Sequence, residues 1–143
     1  MAGFLGRYLH QIDAKGRISL PASFRRGHET EPFILVCTQP NSLALYPDDS
    51  WNDVQNELRD LVRRNPDYGP MLLTVTANAN EVSLDKQGRI LIPDRLRQGV
   101  GLGSEALIVG AINRIEIWEP ERFEASTSVA DEVFDKHVRT IFS

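Results

Sequence analysis

The sequence predicts an α+β fold, mainly β, in which one unit of strand, strand, short helix, strand, strand is laid down twice and each copy is followed by an amphipathic helix. Three observations predict it. The run Asp13-Ala14-Lys15-Gly16-Arg17-Ile18-Ser19-Leu20-Pro21 returns 72 positions later as Asp85-Lys86-Gln87-Gly88-Arg89-Ile90-Leu91-Ile92-Pro93, with Asp, Gly, Arg, Ile and Pro in register. The echo continues: Phe24 meets Leu96, Arg25 meets Arg97, Ile34-Leu35-Val36 meets Leu107-Ile108-Val109, and Leu43-Ala44-Leu45-Tyr46 meets Ile115-Glu116-Ile117-Trp118. Each unit thus spans about 44 residues, a period typical of structural repeats. Finally, apolar residues at helical spacing follow each unit.

Within the first unit, Tyr8 to Ile12 and Ile18 to Leu20 flank Asp13-x-x-Gly16. Asp at the first and Gly at the fourth turn position describe a tight hairpin, closed by a glycine that takes positive φ and by an Asp carboxylate that accepts backbone N–H groups. Pro21 opens a short helical turn, Ala22 to Arg26, which Gly27 stops. Phe33 to Thr38 is a continuous apolar, β-branched run suited to a buried strand, and Leu43 to Tyr46 supplies its partner across a turn containing Pro40-Asn41. Ser50 reads as an N-cap, with Trp51, Val54, Leu58, Leu61 and Val62 at helical spacing until Asn65-Pro66. Tyr68-Gly69-Pro70 breaks that helix, and Met71 to Leu84 reads as extended chain. After the second unit Pro120 starts another helix, and Val129, Val133, Phe134, His137, Val138 and Ile141 form a second apolar stripe opposite an acidic face. The expected division is 7–50 for repeat 1, 51–78 for a bridging helix and linker, 79–122 for repeat 2 and 123–143 for a C-terminal helix.

Units of this size bury too little surface to stand alone, so the two repeats are expected to share one core. A 41% apolar and 25% charged composition is ordinary for a soluble globular chain. No apolar run crosses a bilayer, and no signal peptide is expected at the N-terminus. The lone Cys37 fits a reducing cytoplasm. Net charge is −4, yet residues 7–26 carry Arg7, Lys15, Arg17, Arg25 and Arg26 against Asp13 alone, whereas 115–143 is rich in acids. A basic face with an acidic back can still be steered onto a polyanion, because local potential guides close approach.

The duplicated Asp-x-x-x-Arg-Ile-x-Ile/Leu-Pro pattern, with Tyr-Pro or Trp-Glu-Pro before a helix at the end of each unit and Asn41 or Asn113 in the turn, resembles the MraZ family of bacterial transcriptional regulators. The resemblance runs from Phe4-Leu5-Gly6 through Phe123. It implies two SpoVT-AbrB-type domains in a swapped-hairpin fold with pseudo-two-fold symmetry, whose Asp-x-x-x-Arg loops touch DNA. It also implies ring-like homo-oligomers, a cytoplasmic and nucleoid-associated location, and binding to short tandem boxes upstream of the protein's own division and cell-wall operon. One departure is the linker Asp67-Tyr68-Gly69-Pro70-Met71-Leu72-Leu73-Thr74-Val75, which is neither basic nor suited to a helix, where compared members carry a basic helical segment.

The residues give the loops a chemistry. Arg17 and Arg89, one position after the turn glycine, are expected to project from the hairpin tips, where a guanidinium can bond guanine O6 and N7 together. Lys15 and Lys86 suit phosphate, which fixes position and makes affinity fall with salt. Asp13 and Asp85 hold the turns closed and can orient the arginines. Arg7, Arg25 and Arg26 are expected as auxiliary phosphate contacts. The first loop, being the more basic, is expected to dominate affinity. One or two reading side chains per unit discriminate too little for a regulator, so an oligomer must link many weak modules.

An enzyme is not expected. His10, His28, His137 and Cys37 lack metal-ligand spacing, and no nucleophile elbow or phosphate loop occurs, so neither metal, cofactor nor small-molecule substrate is implied. Asp13 and Asp85 do not suit a catalytic dyad, because Lys15 and Arg17 would hold Asp13 ionised. The stronger rival is an AbrB-like interaction or antitoxin-type module that docks a protein partner without reading a promoter.

Overall fold

The computed structural model describes residues 3–128 and 131–142. In chain order it holds β1 (Arg7–Gln11), β2 (Arg17–Ser19), α1 (Ala22–Arg25), β3 (Phe33–Gln39), β4 (Ser42–Tyr46), α2 (Asp48–Arg64), a short 3-10 turn (Pro66–Tyr68) and α3 (Gly69–Ala77). The second copy follows as β5 (Ala79–Val82), β6 (Arg89–Leu91), α4 (Asp94–Gly99), β7 (Glu105–Gly110) and β8 (Ile115–Trp118), and the chain continues through α5 (Pro120–Thr127) and α6 (Asp131–Phe142). The expected ββαββ unit is therefore present twice. Val129 of the expected C-terminal stripe lies outside the described residues, and the segment expected as one helix holds two, α5 and α6.

The two units are interleaved. All pairing is antiparallel, in a six-stranded sheet of order β1-β7-β8-β4-β3-β5 and a separate ribbon of β2 with β6. Within the first hairpin the backbone ladder between the two arms is reduced to the single bridge Ile12↔Ile18: β1 leaves to pair β7 of the other unit, and β2 leaves to pair β6. The turn is local but the ladder is not, as a swapped hairpin requires. A three-residue strand offers little to a hairpin by itself. Paired across the units, β2 and β6 instead place Ile18 opposite Ile90, both buried over the sheet, where each side chain contributes roughly 2 kcal/mol of apolar burial.

Alternation along the strands sorts the two sheet faces. Leu35, Leu43, Leu45, Ile108, Ile115 and Ile117 point to one side, where they meet Ile18, Ile90, Phe24 and Leu96 in a single core drawn from both repeats. On the opposite side Val36 and Ala44 pack under Trp51 and Val54 of α2, with Val75 of α3 beside them. In the corresponding place of the second unit Phe123 of α5 stacks edge-on against Trp118, 5.6 Å between centroids. The sheet thus separates a helical layer from the β2–β6 ribbon with its short helices.

Two local expectations are overturned. Met71 to Leu84 is not extended throughout: α3 occupies Gly69–Ala77, and only Ala79–Val82 is strand. Pro70 sits in the first helical turn, where no N–H is needed, so it starts this helix rather than breaking one. The hydroxyls of Thr74 and Thr76 donate to the carbonyls of Pro70 and Leu72 at 3.0 Å, which settles two β-branched residues inside a helix, and the linker is helical although it is not basic. Ser50 is not the N-cap of α2 either. Extended Pro47 holds that position, its carbonyl accepts the Trp51 N–H at 2.9 Å, and the acids Asp48 and Asp49 occupy the positive end of the helix.

Candidate nucleic-acid interface

Each Asp-x-x-x-Arg loop is a closed turn built around its aspartate. In the first, the Asp13 N–H donates to the Arg17 carbonyl and the Gly16 N–H to the Asp13 carbonyl, both at 3.0 Å. Asp13 Oδ1 accepts the N–H groups of Lys15 (3.0 Å) and Arg17 (2.9 Å), and Oδ2 accepts Arg17 Nε–H at 2.7 Å. The second loop repeats the pattern: Asp85 Oδ1 accepts Gln87 and Arg89 N–H at 2.9 Å, and Oδ2 accepts Arg89 Nε–H at 2.9 Å. Gly16 and Gly88 take φ of +88° and +77°, conformations that side chains resist. The aspartates therefore do both jobs expected of them, closing the turn and orienting the arginine.

The loops are also stitched to one another. Ile92 N–H donates to the Gly16 carbonyl at 2.9 Å, and Leu20 N–H to the Gly88 carbonyl at 3.0 Å, so each turn is fixed by the strand of the other repeat. Arg25, whose Nε donates to the Leu20 carbonyl at 3.1 Å, lays its guanidinium on Gly88, where a Cβ would collide with it. Arg25, expected as a phosphate contact, thus packs on the opposite loop.

The ribbon register decides where the arginines point. Arg17 lies opposite Leu91, Ser19 opposite Arg89, and Ile18 opposite Ile90. Because successive side chains alternate, Ile18 and Ile90 face the core while Arg17, Ser19, Arg89 and Leu91 share the outward face. The guanidiniums do not stand free at separate tips, as the loop spacing suggests. They lie along the ribbon, with side chains 33% (Arg17) and 26% (Arg89) exposed, and Arg89 Nη1 approaches Asp13 Oδ2 of the other loop at 3.8 Å. Two arginines and two aspartates form one cluster on one face.

Electrostatics follow from this packing. The Asp13 carboxyl is held below its ordinary value, first by the backbone N–H of Arg17, against some desolvation, and then by the Arg17 guanidinium and the Lys15 N–H. Asp85 is lowered in the same way by Arg89 and Gln87. Both stay ionised at neutral pH. The cluster carries four cations, Lys15, Arg17, Lys86 and Arg89, against two anions, with both lysines exposed.

One expected contact sits differently from what spacing suggests. Arg7 does not join the ribbon face. It alternates with Tyr8, which stacks on Phe24 in the core, so Arg7 points to the far side of the sheet, paired with Glu124 at 3.1 Å and lying over the Phe123 ring. Arg26 is exposed at the end of α1. The two lysines are not equivalent either: the position matching Lys15 is Gln87, whose N–H bonds Asp85 as that of Lys15 bonds Asp13. Gln87 Oε1 also accepts Arg89 Nη2–H at 3.4 Å, a contact that sequence reasoning missed although the 72-residue register pointed to it. Ser19 and Leu91 were missed as well, and strict alternation from Arg17 and Arg89 would have found them.

Among the described residues no cluster of three or more His, Cys, Asp or Glu side chains is placed to hold a metal ion, and no helix is long and apolar enough to cross a membrane. A family model described as "MraZ protein, putative antitoxin-like" matches residues 4–68 and 75–142. Proteins named transcriptional regulator MraZ are similar along most of the chain. That of Thermomicrobium roseum is 40% identical over 126 residues, 88% of each chain. That of Acetivibrio thermocellus is 39% identical over 122 residues, 85% of each, and that of Desulforamulus reducens 35% identical over 138 residues, 96% of each.

Proposed function

The chain belongs to the MraZ family, and from that premise we propose that it is a transcriptional regulator that binds double-stranded DNA through the β2–β6 ribbon. The observation that carries this reading is the convergence of Arg17 and Arg89 on one outward face, each held by its own aspartate. A two-stranded ribbon fits the major groove, about 12 Å wide; Arg17, fixed through Nε, keeps both terminal nitrogens for a guanine edge, whereas Arg89 has to exchange its contacts with Gln87 and Asp13 for one. Orientation in advance reduces the side-chain entropy lost on binding. Lys15 and Lys86 reach the flanking phosphates, with Arg26 as an auxiliary contact, and Asp13 and Asp85 position the arginines.

One ribbon reads few bases. Tight binding comes from a ring-like homo-oligomer that sets several ribbons on tandem promoter boxes, raising avidity by roughly 10²–10⁴ over a single module. The targets are boxes upstream of the protein's own division and cell-wall genes, which it represses, and it works in the cytoplasm on the nucleoid.

Titration of the purified protein with its own upstream duplex at two salt concentrations tests this. Specific binding that weakens with salt is expected, and Lys15→Ala makes the slope of log affinity against log salt shallower by about 0.9 for each ribbon engaged. A variant confined to monomers keeps its fold and loses tight binding. Monomers that bind as tightly as the wild type contradict the avidity mechanism.

A second reading draws support from α6, whose Val133, Phe134, Ile141 and Phe142 are exposed. Such a stripe suits a partner protein, as an antitoxin-type module would use it. Absence of any DNA binding by the wild type favours that reading.

A further inference from the structure

We infer that the ribbon reads DNA with a direction, Leu91 packing on a thymine methyl group while Ser19, at the pseudo-symmetric position, hydrogen-bonds a base edge; this rests on the DNA-binding reading above. The antiparallel register places the pseudo-two-fold axis at the Ile18–Ile90 pair. That axis exchanges Arg17 with Arg89, and Ser19 with Leu91. A ribbon with like residues at all four positions presents the same face after half a turn, and it cannot tell one direction along a duplex from the other. Here the arginines match and their neighbours do not.

The chemistry of the mismatch suits the major groove. There thymine offers a methyl group, an apolar target, and every base pair offers donors and acceptors to a hydroxyl. Leu91 is 54% exposed beside the cationic cluster, whereas its neighbours Ile90 and Ile92 are 1% exposed and already fill the core. More than half of its surface is therefore left outside the core, and the surrounding arginines and lysines select a polyanion as the surface that covers it. Two further differences break the symmetry in the same place: Gln87 accepts from Arg89 where Lys15 makes no such bond to Arg17, and Arg89 crosses to Asp13.

The test is selection from a pool of random-sequence duplexes, followed by titration of the selected duplex with deoxyuridine replacing each thymine in turn. For the wild type a motif asymmetric about its centre is expected. One thymine-to-deoxyuridine change should weaken binding about fourfold, the factor that one buried methyl group is worth. Leu91→Ser and Leu91→Gln, which lack an apolar tip, should lose that sensitivity, and Leu91→Ser should select a more symmetric motif. Ser19→Leu should gain a second thymine preference. An unchanged motif and deoxyuridine effect in both Leu91 variants overturn the inference while leaving DNA binding intact. A wild type that selects no motif overturns the DNA-binding reading itself, and the inference with it.

Discussion

Arg89 Nη1 lies 3.8 Å from Asp13 Oδ2, across the pseudo-two-fold axis, while the same oxygen accepts Arg17 Nε–H at 2.7 Å. Asp13 thus touches both arginines, and among the described residues Asp85 pairs only with Arg89. Asp13→Asn is expected to reduce discrimination between the promoter box and random duplex by roughly 1 kcal/mol more than Asp85→Asn, about the worth of one further well-placed arginine. Competition titrations with both variants measure this, and equal losses contradict a shared anchor.

Gly16 joins a positive φ of +88° to a close approach, since a Cβ there would lie 3.0 Å from the Ile92 carbonyl. Gly27, at φ +82°, has open space around it. Both substitutions by alanine incur the left-handed penalty of roughly 1–2 kcal/mol, and Gly16→Ala should cost more than Gly27→Ala because it also pushes on the other repeat. Thermal unfolding gives the ranking. A single transition is expected in every case, because the repeats share one core, and separate melting of two halves contradicts the interleaved fold.

Stability should also depend on pH in a defined direction. Asp13 and Asp85 titrate lower in the folded protein than in the unfolded chain, so the unfolded state takes up protons first as pH falls. Their contribution is complete above the unfolded value of about 3.9 and disappears as pH drops through the folded values. Denaturant melts of the wild type and of an Asp13→Asn, Asp85→Asn double variant should converge as pH falls below about 4. Curves that stay parallel contradict the hydrogen bonding of the loops.

The repeat made most of the fold legible. Asp, Gly and Pro at fixed turn positions specify their turns by local sterics, and continuous apolar runs mark β3, β4, β7 and β8. The exchange of hairpin arms was legible only through family resemblance, because nothing in Tyr8 to Leu20 distinguishes a local ladder from a partner 72 residues away. The same gap hid the Arg89–Asp13 approach, which exists only once β2 and β6 are paired. Helix α3 escaped because Thr74, Val75 and Thr76 read as strand residues, whereas hydroxyl bonds to the preceding turn and partial burial of Val75 against Val36, Ala44 and Trp51 outweigh that preference. Arg7 misled for a simpler reason: one step along β1 reverses the face on which a side chain lies.

The most direct measurement is the affinity of Arg17→Ala and Arg89→Ala for the promoter duplex and for random duplex of the same length. Each variant is expected to lose roughly 1–3 kcal/mol on the promoter and far less on random sequence, with Arg17→Ala the more damaging because its loop is the more basic. Wild-type discrimination retained by both variants would contradict the ribbon as the reading surface.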